Sequence, residues 1–289
     1  MSAAQELTRA LRGSWRGHYG VACCPAHSDK TPSLSIADGT SGGVLLKCHA
    51  GCSYAAISAA LSSDLRPVNT HEARADDMAA NQAARARAEK ASKQAGAIWA
   101  ASLPITGTPA EHYLRQRGIT CALPPMLRYA PDCWHLSARR LPALLCKVTG
   151  PGGAAIHRTY LTYDGRSKAA VTPAKAMLGQ TKGGAVRLSQ GAGKLVVAEG
   201  VETTLSLMCG LYPGHHSYWA ALSASGMVGL LLPPRPGQLV IASDGDEPGQ
   251  DAAARLARRA DALGWQVTLL AAPEGQDWND VLQARGVAA

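Results

Sequence analysis

The last third of the chain alternates between short apolar runs and longer segments whose apolar residues recur at helical spacing. Short apolar runs are typical of strands buried on both faces, and strands that alternate with helices form parallel sheets. Four such strands are predicted, in the segments "KLVVAEG", "SYWAALS", "GQLVIASDGD" and "WQVTLLAAP". We therefore predict an α/β fold class, with a mostly parallel four-stranded sheet flanked by helices over residues 193–289.

The pattern divides the rest of the chain into three regions. Residues 1–65 combine short strand-like runs with Cys and Gly. Residues 66–104 are rich in Ala, Arg, Glu and Lys, and their thin apolar stripe is typical of an exposed helical connector. Residues 105–192 begin with a helix and continue with strand-like runs, with Asp164–Gly165 as a hairpin turn. The third region is therefore predicted to be α+β.

Composition excludes a membrane protein. The hydrophobic fraction is 46%, and no run approaches the roughly 20 apolar residues that a membrane span needs. The first residues, "MSAAQELTRALRGSW", are amphipathic and lack the apolar core of a signal peptide. We expect a cytoplasmic protein with no membrane partner.

The chain has eight cysteines. Since disulfides are rare in a reducing cytoplasm, clustered cysteines are candidate metal ligands and scattered ones are candidate core residues. The scattered set is expected to be small, buried and apolar, and comprises Cys121, Cys133, Cys146 and Cys209.

The clustered cysteines predict a zinc site. Cys24 and His27 have C-x2-H spacing, and Cys48 and Cys52 have C-x3-C spacing. The intervening segment can form a hairpin that brings the two pairs together, and a Cys3His set fits the closed tetrahedral arrangement of structural zinc. Cys23 and His49 lie beside ligands and could substitute for them, but adjacent side chains such as Cys23 and Cys24 point in different directions, so we assign Cys24. Residues 1–65 are thus predicted to be a zinc ribbon that depends on the metal for folding.

Charge is concentrated in two neighbouring blocks. Residues 113–194 hold thirteen Lys and Arg against two acids, whereas residues 195–289 hold five Lys and Arg against ten acids. A basic block next to an acidic one predicts a polyanion-binding surface beside a cation-binding carboxylate cluster. An ordinary solvated charged face is the alternative.

Carboxylates end two of the predicted strands. Glu199 follows the first strand of residues 193–289, and Asp244 and Asp246 follow another. The carboxyl ends of parallel strands meet at one edge, and oxygen ligands favour Mg²⁺ or Mn²⁺ over zinc. Asp280, at the start of the last helix, is predicted as an additional magnesium ligand. Asp277 can equally cap that helix or bind metal.

These residues resemble two families. The E…DxD pattern on alternating strands and helices resembles the Toprim domain of bacterial primases, topoisomerases and some nucleases. The segment "CPAHSDKTPSLSI…KCHAGC" resembles the N-terminal zinc-binding domain of bacterial DnaG-type primases. Topoisomerases and nucleases do not begin in this way, so the combination is the more specific signal. The stretch "PAKAMLGQTKGGAVRL" before "LVVAEGVETTLS" is similar to the primases of phages, plasmids and other mobile genetic elements.

The chain departs from that pattern at two places. The second Cys pair has one residue more than the usual C-x2-C. Where the replicative enzyme has an Asp four residues after the first Glu, this chain has Thr203, with Glu202 one place earlier. The number of catalytic metals and the role of Glu202 therefore stay open.

The resemblance implies a DNA primase, a nucleotidyltransferase that synthesises short RNA primers from NTPs on a single-stranded DNA template by two-metal phosphoryl transfer. Asp244 and Asp246 would then hold metal, and Glu199 would act as a ligand or a general base. A replicative helicase would be a partner in trans, in the cytoplasm of a bacterial host cell. A Toprim-type metal-dependent nuclease and a non-catalytic DNA-binding replication accessory protein are the alternatives.

The same resemblance implies roles for basic and aromatic side chains. Lys175, Lys182 and Arg187 precede the first strand of the last region, and with Arg158 they are the candidates for binding the nucleotide. The zinc ribbon would contact unpaired template bases. Its candidates for that contact are Trp15, His18, Tyr19, Lys30 and Lys47.

Overall fold

The computed structural model describes residues 2–29, 31–39, 43–61 and 70–287, with the side chains of 70–80 and 287 excepted. The predicted template contact of Lys30 and the predicted boundary at residue 65 lie outside the described residues. The chain forms two compact units, Met1–Ala84 and Arg85–Ala289.

The first unit contains a four-stranded antiparallel sheet in the order β1-β2-β3-β4. Its core is small and includes Leu34, Ile36 and Ile57, as expected for a unit that metal binding helps to fold. Its elements are α1 (Ala3–Ala10), β1 (Ser14–Trp15), β2 (Gly20–Ala22), β3 (Leu34–Asp38), β4 (Val44–Cys48) and α2 (Tyr54–Leu61), followed by α3 (Thr70–Ala101), which runs across the boundary between the units.

The second unit begins, after α3, with an antiparallel five-stranded sheet in the order β5-β6-β7-β8-β9. Helix α4 starts at Thr108, whose hydroxyl accepts a hydrogen bond from the Glu111 N–H. The sheet and this helix form the predicted α+β region. The elements are β5 (Leu103–Pro104), α4 (Pro109–Gln116), β6 (Leu127–Trp134), β7 (Arg140–Val148), β8 (Ala155–Tyr160) and β9 (Lys175–Gly179).

The C-terminal sheet of the second unit has five strands in the order β10-β12-β11-β13-β14. The four predicted strands are mutually parallel, which confirms the fold class. The antiparallel edge strand β10 was not predicted, because two residues are too short to show a periodic pattern. The elements are β10 (Val186–Arg187), β11 (Leu195–Ala198), α5 (Val201–Ser206) with a π-helical turn (Leu207–Leu211), β12 (Ser217–Ala220), α6 (Ala224–Gly229), β13 (Gln238–Ser243), α7 (Glu247–Ala262), β14 (Gln266–Ala271) and α8 (Trp278–Val287).

The inner strands β11, β12 and β13 of the C-terminal sheet are buried on both faces, as their apolar sequences require, whereas the edge strand β14 is largely exposed. Val196 packs into one apolar cluster and Val197 into another. The first cluster also contains Leu144 and Cys146 from β7. The middle and C-terminal sheets of the second unit therefore share one core. No helix in the described part of the chain is long and apolar enough to cross a membrane.

The prediction for the scattered cysteines is half correct. Cys133 and Cys146 are buried, as expected. Cys121 and Cys209 instead form a disulfide and are only partly buried. Their pairing joins positions 88 residues apart and depends on how the segment after α4 meets the π-helical turn, which spacing alone does not reveal.

Candidate functional site

The first unit brings the four predicted zinc ligands together. The ligand atoms of Cys24, His27, Cys48 and Cys52 all lie within 4.8 Å of one another. The Nδ1 atom of His27 is 3.2 Å from the Cys52 sulfur and 4.0 Å from the Cys48 sulfur. Three thiols and an imidazole at this spacing fit structural zinc, with no position left for a substrate.

Asp29 supports this cluster from outside it. One of its oxygens accepts hydrogen bonds from the Cys24 N–H at 2.9 Å and from the Ser33 hydroxyl at 2.5 Å, and that oxygen lies 3.7 Å from His27 Nε2. The bonds from Ser33 and Cys24 lower the pKa of Asp29, so it stays ionised and can orient the imidazole. Sequence reasoning missed Asp29, although a carboxylate two residues after a ligand histidine was the available signal.

The predicted template-contacting residues of the first unit differ in exposure. His18, Tyr19 and Lys47 are exposed, whereas Trp15 packs partly against the apolar core and donates its indole N–H to Gly17 O. The exposed three are accessible to a ligand, and Trp15 has a structural contact.

In the second unit, the carboxyl ends of two adjacent parallel strands carry the predicted acids. Ala198 of β11 pairs with Ala242 of β13, so Glu199 and Asp244 leave the sheet at the same edge. Burial and then the neighbouring charge of Asp246 raise the pKa of Glu199. Burial, followed by the charges of Glu199, Asp277 and Asp246, raises the pKa of Asp244 to about 7. The neighbouring carboxylates at this edge repel one another, so each disfavours the ionisation of the others. A bound cation would neutralise them, and the edge is therefore a candidate cation site.

The Asp244 carboxyl also has an unpaired oxygen. Its Oδ1 atom is buried and has no hydrogen-bond partner among the described residues. A buried acceptor without a partner is costly unless a ligand satisfies it. Only the Cys/His group, within the described part of the chain, brings three ligand atoms within 4.8 Å. Mg²⁺ does not need such a compact group, since this ion keeps several waters and uses one or two carboxylates plus substrate phosphates.

The remaining predicted acids have local partners. Asp246 is exposed and caps α7, accepting a hydrogen bond from the Gly249 N–H at 2.8 Å. Asp280 is exposed and accepts from the Asp277 N–H, while Asp277 accepts from the N–H groups of Asn279 and Asp280. Both acids thus cap α8. Asp277, rather than Asp280, is the one whose charge acts on Asp244.

Gly245, between the two acids that follow β13, is required by the close approach of another chain segment. A Cβ atom at this position would lie 1.9 Å from the carbonyl oxygen of Pro273. Only glycine fits this space. The contact fixes the loop that carries Asp244 and Asp246.

Glu202 occupies a buried ion pair rather than an exposed position at this edge. Its side chain is 5% exposed and accepts from Lys175 Nζ at 2.9 Å. Its other oxygen accepts from the Tyr113 hydroxyl, also at 2.9 Å. Burial disfavours its charge, but the nearby Lys175 and Lys168 outweigh burial and hold the pKa of Glu202 below its usual value. Glu202 therefore fixes a lysine, and Thr203 beside it is buried.

The basic side of the site contains two cations that sequence reasoning missed. Lys168 is half-buried, and burial together with the charge of Lys175 lowers its pKa. Arg117 also acts on Lys168 electrostatically, and its guanidinium lies 5.2 Å from the Tyr113 ring centre. Burial and the neighbouring acids raise the pKa values of Glu199 and Asp244, and the charge of Lys175 offsets part of that rise. A group of cations thus adjoins the carboxylates within one unit.

The other predicted nucleotide-binding residues have different surroundings. Lys182 is exposed on the turn closed by the hydrogen bond from Gly184 N–H to Thr181 O. Arg187 is exposed and lies over the Trp219 ring, 4.2 Å from its centre. Arg158 is 8% exposed and donates to the backbone carbonyls of Trp134 and Met177. These contacts occupy the guanidinium of Arg158.

A buried histidine beside the ion pair makes stability depend on pH. Burial lowers the pKa of His157 to about 4; Glu202 opposes this shift, whereas the charges of Lys175, Arg158 and Lys168 add to it. The unfolded chain, with a pKa of 6.5, takes up the proton first. Stability present above pH 6.5 is therefore lost as pH falls towards 4, by at most about 3 kcal/mol.

We expect His157→Leu to flatten this decline. The measurement is the thermal unfolding midpoint of wild type and variant at about pH 7.5 and about pH 5. Equal losses in the two proteins would show that His157 is not responsible.

The comparisons with known proteins divide the second unit into two families. Residues 89–188 match a domain of unknown function (DUF7146), and residues 194–288 match the Toprim domain. No curated protein sequence matches the chain.

The solved structures that are similar to the chain include three primase domains. The zinc-binding and RNA polymerase domains of the Aquifex aeolicus primase are 15% identical at a TM-score of 0.43, covering 99% of this chain and 80% of that one. The RNA polymerase domain of Mycobacterium tuberculosis primase DnaG is 19% identical at 0.41, covering 71% and 81%. A DNA primase domain from Pseudomonas aeruginosa is 18% identical at 0.39, covering 62% and 68%. Residues 194–288 are therefore a Toprim domain, and the Cys and His cluster lies in the other unit.

Proposed function

We propose that the protein is a DNA primase that makes short RNA primers from NTPs on single-stranded DNA. One observation carries the proposal: a Toprim carboxylate edge adjoins an anchored lysine within the same unit, and the buried Asp244 Oδ1 at that edge has no partner among the residues that the structure describes. Carboxylates that hold cations beside a cation that can hold phosphate are the two parts that phosphoryl transfer requires.

The acidic side supplies the metal site. Asp244 and Glu199 would hold Mg²⁺ or Mn²⁺, with Asp246 and Asp277 contributing charge or water-mediated contacts. Bound there, the ions would neutralise the triphosphate and lower the pKa of the attacking 3′-hydroxyl. Glu199 is half-buried and its pKa is raised, so it can also accept the proton of that hydroxyl as a general base. This assigns no separate metal role to Glu202 or Asp280.

The basic side positions the nucleotide. Lys175 is partly exposed and is held by Glu202 at 2.9 Å, so its ammonium is placed before the nucleotide arrives. Preordering a charged group in this way reduces the entropy cost of binding. Lys168 adds a second charge, and the exposed Lys182 and Arg187 can contact nucleotide or template phosphates.

The first unit would select the template. Zinc fixes its β-sheet, and the exposed His18, Tyr19 and Lys47 can contact unpaired bases and phosphates. The proposal also includes a replicative helicase as a partner in trans, a bacterial cytoplasm and an origin in a mobile genetic element. These three points rest on the sequence resemblance.

A primer-synthesis assay tests the function. Purified protein is incubated with labelled NTPs, Mg²⁺ or Mn²⁺, and single-stranded DNA of varied sequence. The proposal predicts short RNA products that require template and metal. Degradation of the DNA without product would favour a Toprim-type nuclease, and neither outcome would favour a non-catalytic accessory protein.

Glu202→Gln is expected to raise the KM for NTP about tenfold, with a smaller change in kcat. A hydrogen bond to a charged group contributes about 1.5–3 kcal/mol, and 1.4 kcal/mol corresponds to tenfold. Tyr113→Phe is the matched control, since it removes the other hydrogen bond to this carboxylate but leaves the pair with Lys175.

Steady-state kinetics of Glu202→Gln, Lys175→Met and the double variant check the coupling. If Glu202 acts through Lys175, the effect of Glu202→Gln on KM disappears in the Lys175→Met background. Full additivity of the two effects would contradict this role.

A further inference from the structure

Three large apolar side chains are exposed on two neighbouring hairpins of the middle sheet. Trp134 is 51% exposed, Leu136 is 78% exposed and Tyr163 is 72% exposed. Trp134 and Leu136 belong to the hairpin that joins β6 to β7, and Tyr163 lies in the loop after β8. The Tyr163 hydroxyl donates to the carbonyl oxygen of Arg140 at 3.4 Å, so the two hairpins touch. We use the name hairpin surface for these three side chains together with three exposed arginines beside them, Arg139, Arg140 and Arg166.

The hairpin surface is held in place from below. A register shift between Ala130 and Cys133 interrupts the pairing of β6 with β7. Cys133 is buried, so its neighbour Trp134 faces the solvent. His135 is buried as well, and its ring hydrogen-bonds to the Ser137 hydroxyl at 2.8 Å and the Pro173 carbonyl at 3.0 Å. The exposed indole therefore projects from a fixed turn.

Arginines surround the exposed rings. The Arg140 guanidinium is 5.9 Å from the centre of the Trp134 ring, and Arg139 and Arg166 are exposed nearby in sequence. The two acids of residues 113–194 are both here: Asp132 pairs with Arg140 at 3.0 Å, and Asp164 lies 3.5 Å from Arg166. Both pairs are exposed and therefore weak, so a phosphate can compete for each arginine.

We propose that the hairpin surface binds single-stranded nucleic acid, with bases stacked on Trp134 and Tyr163 and phosphates held by the arginines. Exposed aromatic rings among cations are the combination that binds unpaired strands without sequence preference. Exposed rings and exposed arginines occur together here, which a partner with alternating apolar bases and anionic phosphates matches. That the bound strand is the DNA template rests on the proposed function. The surface lies outside the residues assigned to metal and nucleotide.

Equilibrium binding to a fluorescein-labelled oligo(dT) strand, measured by anisotropy with the full chain and no NTP, tests the proposal. Trp134→Ala and Tyr163→Ala are each expected to raise the Kd about tenfold. Trp134→Phe keeps a stacking ring and is expected to retain most of the affinity. Leu263→Ala is the matched control, because Leu263 is another exposed apolar side chain, 57% exposed, at the end of α7.

A further variant changes binding in the opposite direction. Asp132→Asn frees Arg140 from its ion pair and is expected to lower the Kd. Thermal unfolding of every variant shows whether it is folded. Wild-type affinity in folded Trp134→Ala and Tyr163→Ala would overturn the proposal, as would a loss of affinity in Leu263→Ala of equal size.

The primer assay separates this proposal from the proposed function. Protein that binds oligo(dT) through Trp134 and Tyr163 but makes no primer supports the hairpin surface and contradicts the primase assignment. Protein that makes primers and whose two alanine variants bind normally contradicts the hairpin surface alone.

Discussion

Asp244→Asn is expected to lower kcat for primer synthesis by about 10³-fold. The change removes one carboxylate charge from the metal site, where a bound ion contributes several kcal/mol to the transition state, and each 1.36 kcal/mol corresponds to tenfold in rate. The buried Oδ1 atom of Asp244 has no hydrogen-bond partner among the described residues. None of those residues would therefore compensate for the lost charge through a hydrogen bond to this atom. Single-turnover synthesis at saturating NTP measures the effect.

The same variant is expected to fold at least as well as wild type in metal-free buffer. The pKa of Asp244 is raised to about 7 by burial and by Glu199, Asp277 and Asp246. Folded protein therefore holds a proton there that the unfolded chain releases near pH 4, and wild-type stability falls as pH rises from about 4 to about 7. Asparagine removes this loss, so a higher unfolding midpoint at about pH 8 separates the catalytic effect from misfolding.

Asp251→Asn is the matched control for Asp244→Asn. Asp251 is exposed on α7, where its carboxylate lies 3.7 Å from Arg255. An exposed pair of this kind contributes about 0–1 kcal/mol, so activity is expected to be unchanged. Equal kcat values for Asp244→Asn and wild type would contradict the metal role.

Cys48→Ser is expected to unfold the first unit. A structural zinc site contributes on the order of 10 kcal/mol to folding, and the small core around Leu34 and Ile36 offers little to replace it. Backbone N–H groups and the Ser33 hydroxyl outweigh burial and lower the pKa of Cys48, so its thiolate is available to the metal. Loss of zinc and rapid proteolysis of residues 1–61 are the expected readouts.

Cys23→Ser is the control for that experiment. Cys23 is exposed, and it is not among the four converging ligands. Its substitution is expected to leave zinc content and protease resistance unchanged, and the unfolding transition of the second unit is expected to be unchanged in both variants. Retention of one zinc per chain in Cys48→Ser would contradict the ligand assignment.

The sequence predicted the elements whose patterns are local. The strands β11 and β13 are apolar on both faces, which made them predictable from the sequence. In a parallel sheet the residues that follow such strands lie at one edge, and the pairing of Ala198 with Ala242 places Glu199 and Asp244 there together. The spacing of Cys and His was enough to predict the cluster that the fold brings within 4.8 Å.

What the sequence did not reveal depends on distant pairs. Lys175 and Glu202 are 27 residues apart and on different elements, so the open role of Glu202 needed the fold for an answer. The Cys121–Cys209 disulfide also joins distant positions. Arg158 had the right charge for phosphate, but strand pairing determines that it is buried against carbonyl oxygens.

The central claim is that carboxylates from β11 and β13 hold divalent cations at one edge of the Toprim sheet. Crystals of the full chain soaked in Mn²⁺ and NTP test it most directly, through the anomalous signal of manganese. The account predicts a peak in contact with Asp244 Oδ1 and near Glu199. Manganese bound only elsewhere, with both carboxylates free of it, would contradict the account.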